Sequence, residues 1–311
     1  MDAPQTGVYT SLEELVRLQF RATGFHFLPR QPVHSLLTGR HASRMRGRGL
    51  DFEELRSYLP GDDIRSIDWK VTARTGEPHV RVYTEERDRP VLLVVDQRIS
   101  MFFGSRVYMK SVIAAELAAA GAWRVVGQGD RVGAVIFDDE GFEHVRPLRS
   151  ADTVSRILHV IVEKNQALRA DSNARRDPSI LNQVLESVSH FAGHDYVVAV
   201  ISDFDGADEQ TRRHLTRLAQ NNDVIAFPIY DPLASDLPEN ARLVVSNGEL
   251  QVELDTGKAS TRERLERFSD ERLQAVLSWQ PELGIPVAPV STDRDALEQI
   301  RELLGAAGGR R

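Results

Sequence analysis

The stretch VLLVVDQRIS, Val91 to Ser100, decides the fold. Val91 to Val95 form an apolar run rich in β-branched valine, the pattern of a strand buried on both faces. Such a strand belongs in a parallel sheet covered by helices. It runs straight into a carboxylate, Asp96, with Arg98 and Ser100 close behind.

Similar runs recur downstream at Arg131–Phe137, Tyr196–Ser202, Val224–Ile229 and Val287–Val290. Between them, helical spacing predicts helices over Val107–Val126, Asp152–Lys164, Ser179–Phe191 and Glu209–Gln220. The alternation predicts an α/β fold: a mostly parallel sheet with helices on both faces. ARLVVSNGELQVEL carries an Asn247-Gly248 turn and reads as a β-hairpin inserted at about 241–255. A charged amphipathic helix over Ser260–Trp279 and a closing helix over Asp293–Leu304 follow, with 306–311 as a tail.

Upstream, TSLEELVRLQFR (10–21) opens with a capping pair and places Leu12, Leu15, Val16 and Phe20 at helical spacing. Pro29 to Gly49 reads as a loop enriched in arginine at positions 40, 44, 46 and 48. From Leu50 the chain reads as a short helix, then the Pro60-Gly61 turn, then alternation at His79–Tyr83. Residues 1–89 are therefore expected to form an N-terminal helix, basic loop and small lead-in module, and residues 90–305 the main domain. Asp62, Asp63 and Asp68 near Arg56, Arg65 and Arg74 read as turn formers and surface ion pairs.

With 311 residues, 41% hydrophobic and 27% charged, the chain can bury a full core. A net charge of −7 disfavours non-specific nucleic-acid binding by the whole surface. The absence of cysteine excludes disulfides, thiolate zinc sites and cysteine nucleophiles, and fits a cytoplasmic protein. SVIAAELAAAGAW is broken by Glu116 and too short to span a membrane. Neither a phosphate-binding glycine loop nor an HExxH pair occurs.

In a parallel sheet, functional groups gather beyond the carboxyl ends of the strands. Asp96 ends one strand, Ser202-Asp203 another with Asp205 close behind, and Ser179 opens a helix after Pro178. Each alone is a natural helix cap. Together they form an oxygen-rich set of the kind a hard cation such as Mg²⁺ accepts.

The segment RGRGLDFEELRSYLPGDDIRSIDWKVTARTGEPHVRVYTEERDRPVLLVVDQRISM resembles the bacterial family called domain of unknown function 58, and YLPGDDIRSIDWK is its specific part. That family couples a lead-in motif to a von Willebrand factor A-like domain, and the resemblance implies that Trp69, Tyr58 and the Arg/Asp ladder lock the lead-in onto the sheet edge. The resemblance implies a metal-ion-dependent adhesion site in which Asp96 matches the first aspartate, Ser100 the second serine, Ser179 the loop threonine and Asp203 the last aspartate. Position 98 departs, with arginine where the metal-binding form has serine. A guanidinium has five donors and no lone pair, so it cannot ligate a cation. Either it neutralises Asp96 and Asp203 in a degenerate, metal-free site, or it swings outward and leaves an impaired Mg²⁺ site.

The resemblance further implies a non-enzymatic interaction or adaptor protein that works with a MoxR-type AAA+ ATPase in maturing or remodelling client proteins. An alternative is a metal-dependent phosphohydrolase or nuclease using Asp96 and Asp203 with Asp205. Nucleic-acid binding through the Arg40–Arg48 segment is a third reading.

Overall fold

The computed structural model describes residues 7–25, 50–85, 89–169, 177–232, 242–246, 251–255 and 271–305. The basic segment 40–48, the Asn247-Gly248 turn, the first part of the helix expected over 260–279 and the tail 306–311 lie outside them. The chain divides into two compact units, Met1–Gln31 with Arg89–Arg311, and Pro32–Asp88.

In this division the N-terminal helix belongs to the larger unit. Helix α1 (Leu12–Arg17) starts at a capping box in which the Ser11 hydroxyl accepts from Glu14 N and the Glu14 carboxylate accepts from Ser11 N. Its inner face buries Leu15, and the turn after it buries Leu18. Ala22 and Phe25 follow into the same apolar core as the central strands. Two main-chain carbonyls are also gripped: Trp123 Nε1 donates to Leu15 O at 3.1 Å and Arg124 Nε to Phe25 O at 2.9 Å.

In the smaller unit, strand β1 (Leu50–Ser57) pairs antiparallel with a later strand, so the short helix expected from Leu50 is in fact a strand. Eight residues of mixed polarity satisfy either period, and the partner strand decides the outcome. Helix α2 (Trp69–Thr75) is capped by Asp68, whose side chain accepts from Lys70 N and Val71 N, and ends at Gly76 in the left-handed region. Strand β2 (His79–Glu85) completes the hairpin. Asp62 receives Arg56 through both carboxylate oxygens at 2.8 Å, and Asp63 accepts from Arg65 N, the turn and ion-pair roles expected of these acids.

Trp69 is 68% exposed. A unit of this size has little interior for a large aromatic. Trp69→Ala is accordingly expected to change the urea midpoint by no more than a surface substitution does, within about 0.5 kcal/mol.

The larger unit continues with β3 (Val91–Asp96), α3 (Lys110–Gly127), β4 (Val132–Phe137), β5 (Phe142–Leu148), α4 (Ala151–Ala167), α5 (Ile180–Phe191), β6 (Val197–Ser202), α6 (Glu209–Ala219) and β7 (Asp223–Tyr230). After it come the hairpin β8 (Arg242–Ser246) and β9 (Gln251–Asp255), α7 (helical over 271–277), α8 (Trp279–Leu283), β10 (Val290–Ser291) and α9 (Ala296–Gly305). Six strands form one sheet in the order β10-β7-β6-β3-β4-β5, parallel throughout except for β5. The expected α/β fold is therefore the observed one, and β3 lies at its centre.

Strand alternation sorts the core into two layers. Leu93 and Val95 face the layer of α1, α3, α4 and α9, whereas Leu92 and Val94 face α5, α6 and Trp279. The hairpin forms its own two-stranded sheet. Val287–Val290 shrinks to a ladder at Val290–Ser291 and a single bridge from Val287 to Ala226. Pro286 and Pro289 lack the N–H a longer ladder needs. Strand β5 was not expected; it alternates in burial, turns back through Asp138–Gly141 and bulges over Gly133, where a Cβ would lie 2.5 Å from Val145 O. Among the described residues, no helix is long and apolar enough to cross a membrane.

Within this core, α3 carries one acid toward the N-terminal segment. Burial lifts the Glu116 carboxyl to about 7, Asp295 and Glu14 add to the rise, and Arg21 opposes it. A carboxyl whose folded-state pKa is raised binds its proton more tightly in the native state. Its effect is therefore to lower stability as pH rises from about 4.5 to about 7. Glu116→Gln is expected to match the wild type at pH 4 and to exceed it by about 1–3 kcal/mol at pH 8, since each pKa unit is worth about 1.4 kcal/mol. Denaturant titrations at the two pH values check this; an equal offset at both would mean that Glu116 does not titrate in this range.

Candidate functional site

Parallel pairing of β3 with β6 brings two strand exits side by side. Asp96, the last residue of β3, is fully buried. Its Oδ1 accepts from Arg98 N and Arg98 Nε, both at 3.0 Å. Its Oδ2 accepts from Arg98 Nη2 at 2.7 Å and from Ser202 Oγ at 2.6 Å. The first of these bonds turns the chain back on itself, and the others hold the guanidinium inward.

Arg98 is 2% exposed and is among the largest fully buried side chains of the protein. Its Nη1 donates to Asp205 O at 3.1 Å, its Nη2 lies 3.8 Å from Asp203 Oδ1, and its Cζ stands 5.4 Å from the centre of the Phe137 ring. The guanidinium thus occupies the space between the two strand-end aspartates. Burial pushes its pKa down, but the carboxylates of Asp96, Asp203 and Asp205 more than offset this and raise it above the ordinary arginine value.

Asp203 is satisfied from every side. Its Oδ2 accepts from Lys110 Nζ at 2.5 Å, and its Oδ1 accepts from Asp205 N at 3.0 Å and Ser100 Oγ at 3.3 Å. From α7, Arg272 approaches Asp203 Oδ2 at 4.0 Å and pairs with Asp205 Oδ1 at 2.7 Å. Burial opposes ionisation, yet Lys110, Arg98 and Arg272 hold the Asp203 carboxyl well below the usual carboxylate range.

Lys110 and Arg272 were not among the expected site residues, and Ser202 was read only as part of the strand exit. Lys110 left a trace in the sequence: it opens a helix whose next residues are almost all apolar, and a cation at a helix N-terminus opposes the helix dipole unless an acid compensates it. Ser202 precedes Asp203 directly, and its hydroxyl also accepts from Phe204 N at 2.8 Å. Arg272 is one arginine among many in a charged stretch and gave no local signal.

Behind the site runs a chain of buried amides. Thr10 N donates to Asn165 Oδ1 at 2.9 Å, Asn165 Nδ2 to Gln97 Oε1 at 3.0 Å, and Gln97 Nε2 to Ser111 O at 3.0 Å. Gln97 lies between Asp96 and Arg98, and Ser111 follows Lys110. The N-terminal segment is thereby wired to both cation-bearing turns.

Ser179 is placed differently from the others. Its hydroxyl donates to Asp177 Oδ1 at 2.6 Å and accepts from Gln183 Nε2 at 3.1 Å. It lines a cleft of about 420 Å³ with Asp177, Asn182, Glu186 and Asp208, and its described bonds do not reach Asp96 or Asp203. The four residues matched to metal ligands are thus divided, with Ser100 on Asp203 and Ser179 apart. Both oxygens of Asp96 and Oδ2 of Asp203 face positively charged donors, an arrangement that does not fit Mg²⁺. Among the described residues, no three His, Asp or Glu side chains are grouped to hold a metal ion.

A family model described as protein of unknown function DUF58 matches residues 54–274. The chain belongs to this family. DUF58 membership accords with two relatives, the uncharacterized proteins Rv1480 of Mycobacterium tuberculosis (strain ATCC 25618 / H37Rv) and Mb1516 of Mycobacterium bovis. Each is 30% identical over 272 residues, covering 87% of this chain and 84% of the relative. Similar solved structures include the conserved hypothetical protein BatB from Bacteroides thetaiotaomicron, at TM-score 0.38 and 12% identity, covering 71% of this chain and 100% of that one. Another is a von Willebrand factor type A protein from Catenulispora acidiphila, at TM-score 0.32 and 11% identity, covering 74% of this chain and 45% of that one. The fold of this DUF58 protein is described by its own sheet order, to which similarity at that level adds nothing.

Proposed function

We propose that this DUF58 protein is a non-enzymatic interaction or adaptor protein of von Willebrand A-like build, whose recognition face is the C-terminal edge of the sheet around Asp96, Arg98, Ser100 and Asp203. One observation carries the reading: the strand-end carboxylates are committed to internal cations. A general base must be free to take a proton near neutral pH, and a carboxylate held well below its ordinary range is a weak one. Two-metal phosphoryl chemistry needs a clamp of several open ligands. In this reading the adhesion site is degenerate, with Arg98 standing where a cation would bind, and it needs no cofactor. The partner class is a MoxR-type AAA+ ATPase, as the family resemblance implies, and the protein works with it in the cytoplasm on client proteins.

The protein is expected to show no phosphatase or nuclease turnover with Mg²⁺ or Mn²⁺. Turnover that disappears in Asp203→Ala would establish the hydrolase reading in its place. Mixing with a MoxR-type ATPase from the same organism is expected to give a complex on size-exclusion chromatography that a bulky Ser100→Trp substitution weakens. A complex unaffected by that substitution would move the recognition face elsewhere.

A further inference from the structure

Helix α2 of the smaller unit has two sides of opposite character. Toward β2 it turns Thr72, whose hydroxyl accepts from His79 N at 3.1 Å, with Val71 half-buried beside it. Away from β2 it exposes Trp69 and Ala73, which are neighbours at i,i+4 spacing, and Lys70 and Arg74, which are neighbours in the same way. Two cations at that spacing repel each other, and neither forms an ion pair among the described residues. The acids nearby are directed elsewhere. Asp68 caps α2, Asp63 accepts from Arg65 N, Asp62 holds Arg56, and Glu77 lies beyond Gly76, where the helix has ended.

The loop before the helix extends this face. Tyr58 N donates to Pro78 O and Asp68 N to His79 O, both at 2.8 Å, so the two ends of the loop are gathered at consecutive carbonyls. Leu59 and Trp69, the next residue in each case, therefore leave the hairpin from neighbouring points. Leu59 is 59% exposed and Ile64 64%, whereas Ile67 is held to the buried Val80 by a bridge. A single exposed apolar side chain is ordinary, but three on one compact loop mark an interaction surface. The occupant follows from the chemistry. An indole with two aliphatic side chains is matched by apolar groups, and Lys70 with Arg74 by carboxylates. A nucleic acid brings anionic charge without aliphatic groups, a single tryptophan is a thin stacking platform for its bases, and the net charge of −7 repels a polyanion. Protein interfaces, by contrast, concentrate their binding energy on tryptophan and arginine.

We propose that the outward face of α2, together with Leu59 and Ile64, is a docking surface for an acidic segment of a partner protein that carries aliphatic anchors. Trp69 is the central contact, covered by the apolar side chains of the segment, and Lys70 and Arg74 receive its carboxylates. The surface lies in the smaller unit and is separate from the recognition face at the sheet edge. It stands or falls independently of that reading.

The test uses the full chain as wild type, Trp69→Ala, and Lys70→Glu combined with Arg74→Glu. The probe is a fluorescein-labelled helical peptide of about four turns with leucine along one face and glutamate on its flanks. One control peptide has lysine for every glutamate, another has alanine for every leucine, and a labelled oligothymidylate stands for nucleic acid. By fluorescence anisotropy the wild type is expected to bind the glutamate–leucine peptide saturably, more weakly as salt is added, and to leave the three controls unbound. Trp69→Ala is expected to weaken binding roughly tenfold or more, the loss of a central contact, with an unchanged urea midpoint. The doubly charge-reversed variant is expected to prefer the lysine peptide. No binding of the glutamate–leucine peptide, binding indifferent to Trp69→Ala, or equal binding of the lysine peptide would overturn the inference. So would tighter binding of the oligothymidylate, or a self-association on sedimentation that Trp69→Ala removes, which would assign the face to nucleic acid or to a second copy of the chain. A lowered urea midpoint in Trp69→Ala would show the indole packed in solution and overturn it as well. Loss or retention of the ATPase complex in Ser100→Trp bears on the sheet edge alone.

Discussion

Replacing Arg98 with serine is expected to lower stability by about 3–5 kcal/mol in metal-free buffer, the usual cost of removing one partner from a buried ion pair. The guanidinium makes its bonds to Asp96 and to Asp205 O almost wholly out of solvent. In the variant, Asp96 keeps Ser202 and loses its counter-charge. The new hydroxyl also supplies an oxygen ligand, so millimolar Mg²⁺ is expected to restore part of the loss, since only ligands that bind the native state raise its stability. The wild type is expected to gain nothing. Calorimetric titration decides: Mg²⁺ binding by the wild type as tight as by Arg98→Ser would mean that the guanidinium yields to the ion in solution.

Phe25→Ala is expected to cost about 3–5 kcal/mol, the range for deleting a fully buried aromatic. Phe25 is completely enclosed, and its carbonyl is held by Arg124. The contrast with Trp69→Ala tests the division of the chain. If residues 7–25 belong to the α/β core, the Phe25 variant should unfold in one cooperative transition at lower urea concentration. A loss comparable to that of Trp69→Ala would instead mean that the segment detaches before the sheet unfolds. The buried link Thr10–Asn165–Gln97 makes the former outcome the expected one.

The two variants also show what a sequence records and what it leaves out. Strands β3, β4, β6 and β7 were legible because strands buried on both faces must be continuously apolar. Strand β5 was not, because Phe-Glu-His-Val-Arg-Pro-Leu has no such run and exists as a strand through its pairing with β4. For residues 50–57 either period could be read, and the pairing with β2 decided for a strand. The apolar face of α1 could be read from spacing, but an apolar stripe does not say what covers it. At the site, the chemistry of Arg98 was legible, as a donor where a ligand was expected. Its inward direction was not, because the enclosing groups Ser202 and Phe137 come from other strands and Asp205 from the turn beyond one of them. Arg272 and Lys110 were missed for the same reason, since ion pairing across the fold has no local period.

The margins of the main sheet carry a consequence for how this protein can be joined by others. On one side β5 presents Glu143 and Arg146 beside Pro147, which has no N–H to offer, and the strand is bent by its bulge. On the other, β10 is two residues long. Charges, proline, bulges and brevity are the devices by which natural sheets refuse an added strand. An extended peptide therefore finds no template along either flank, and neither does a second copy laid side by side. Among the described residues, neither edge of the main sheet is built to take an added strand.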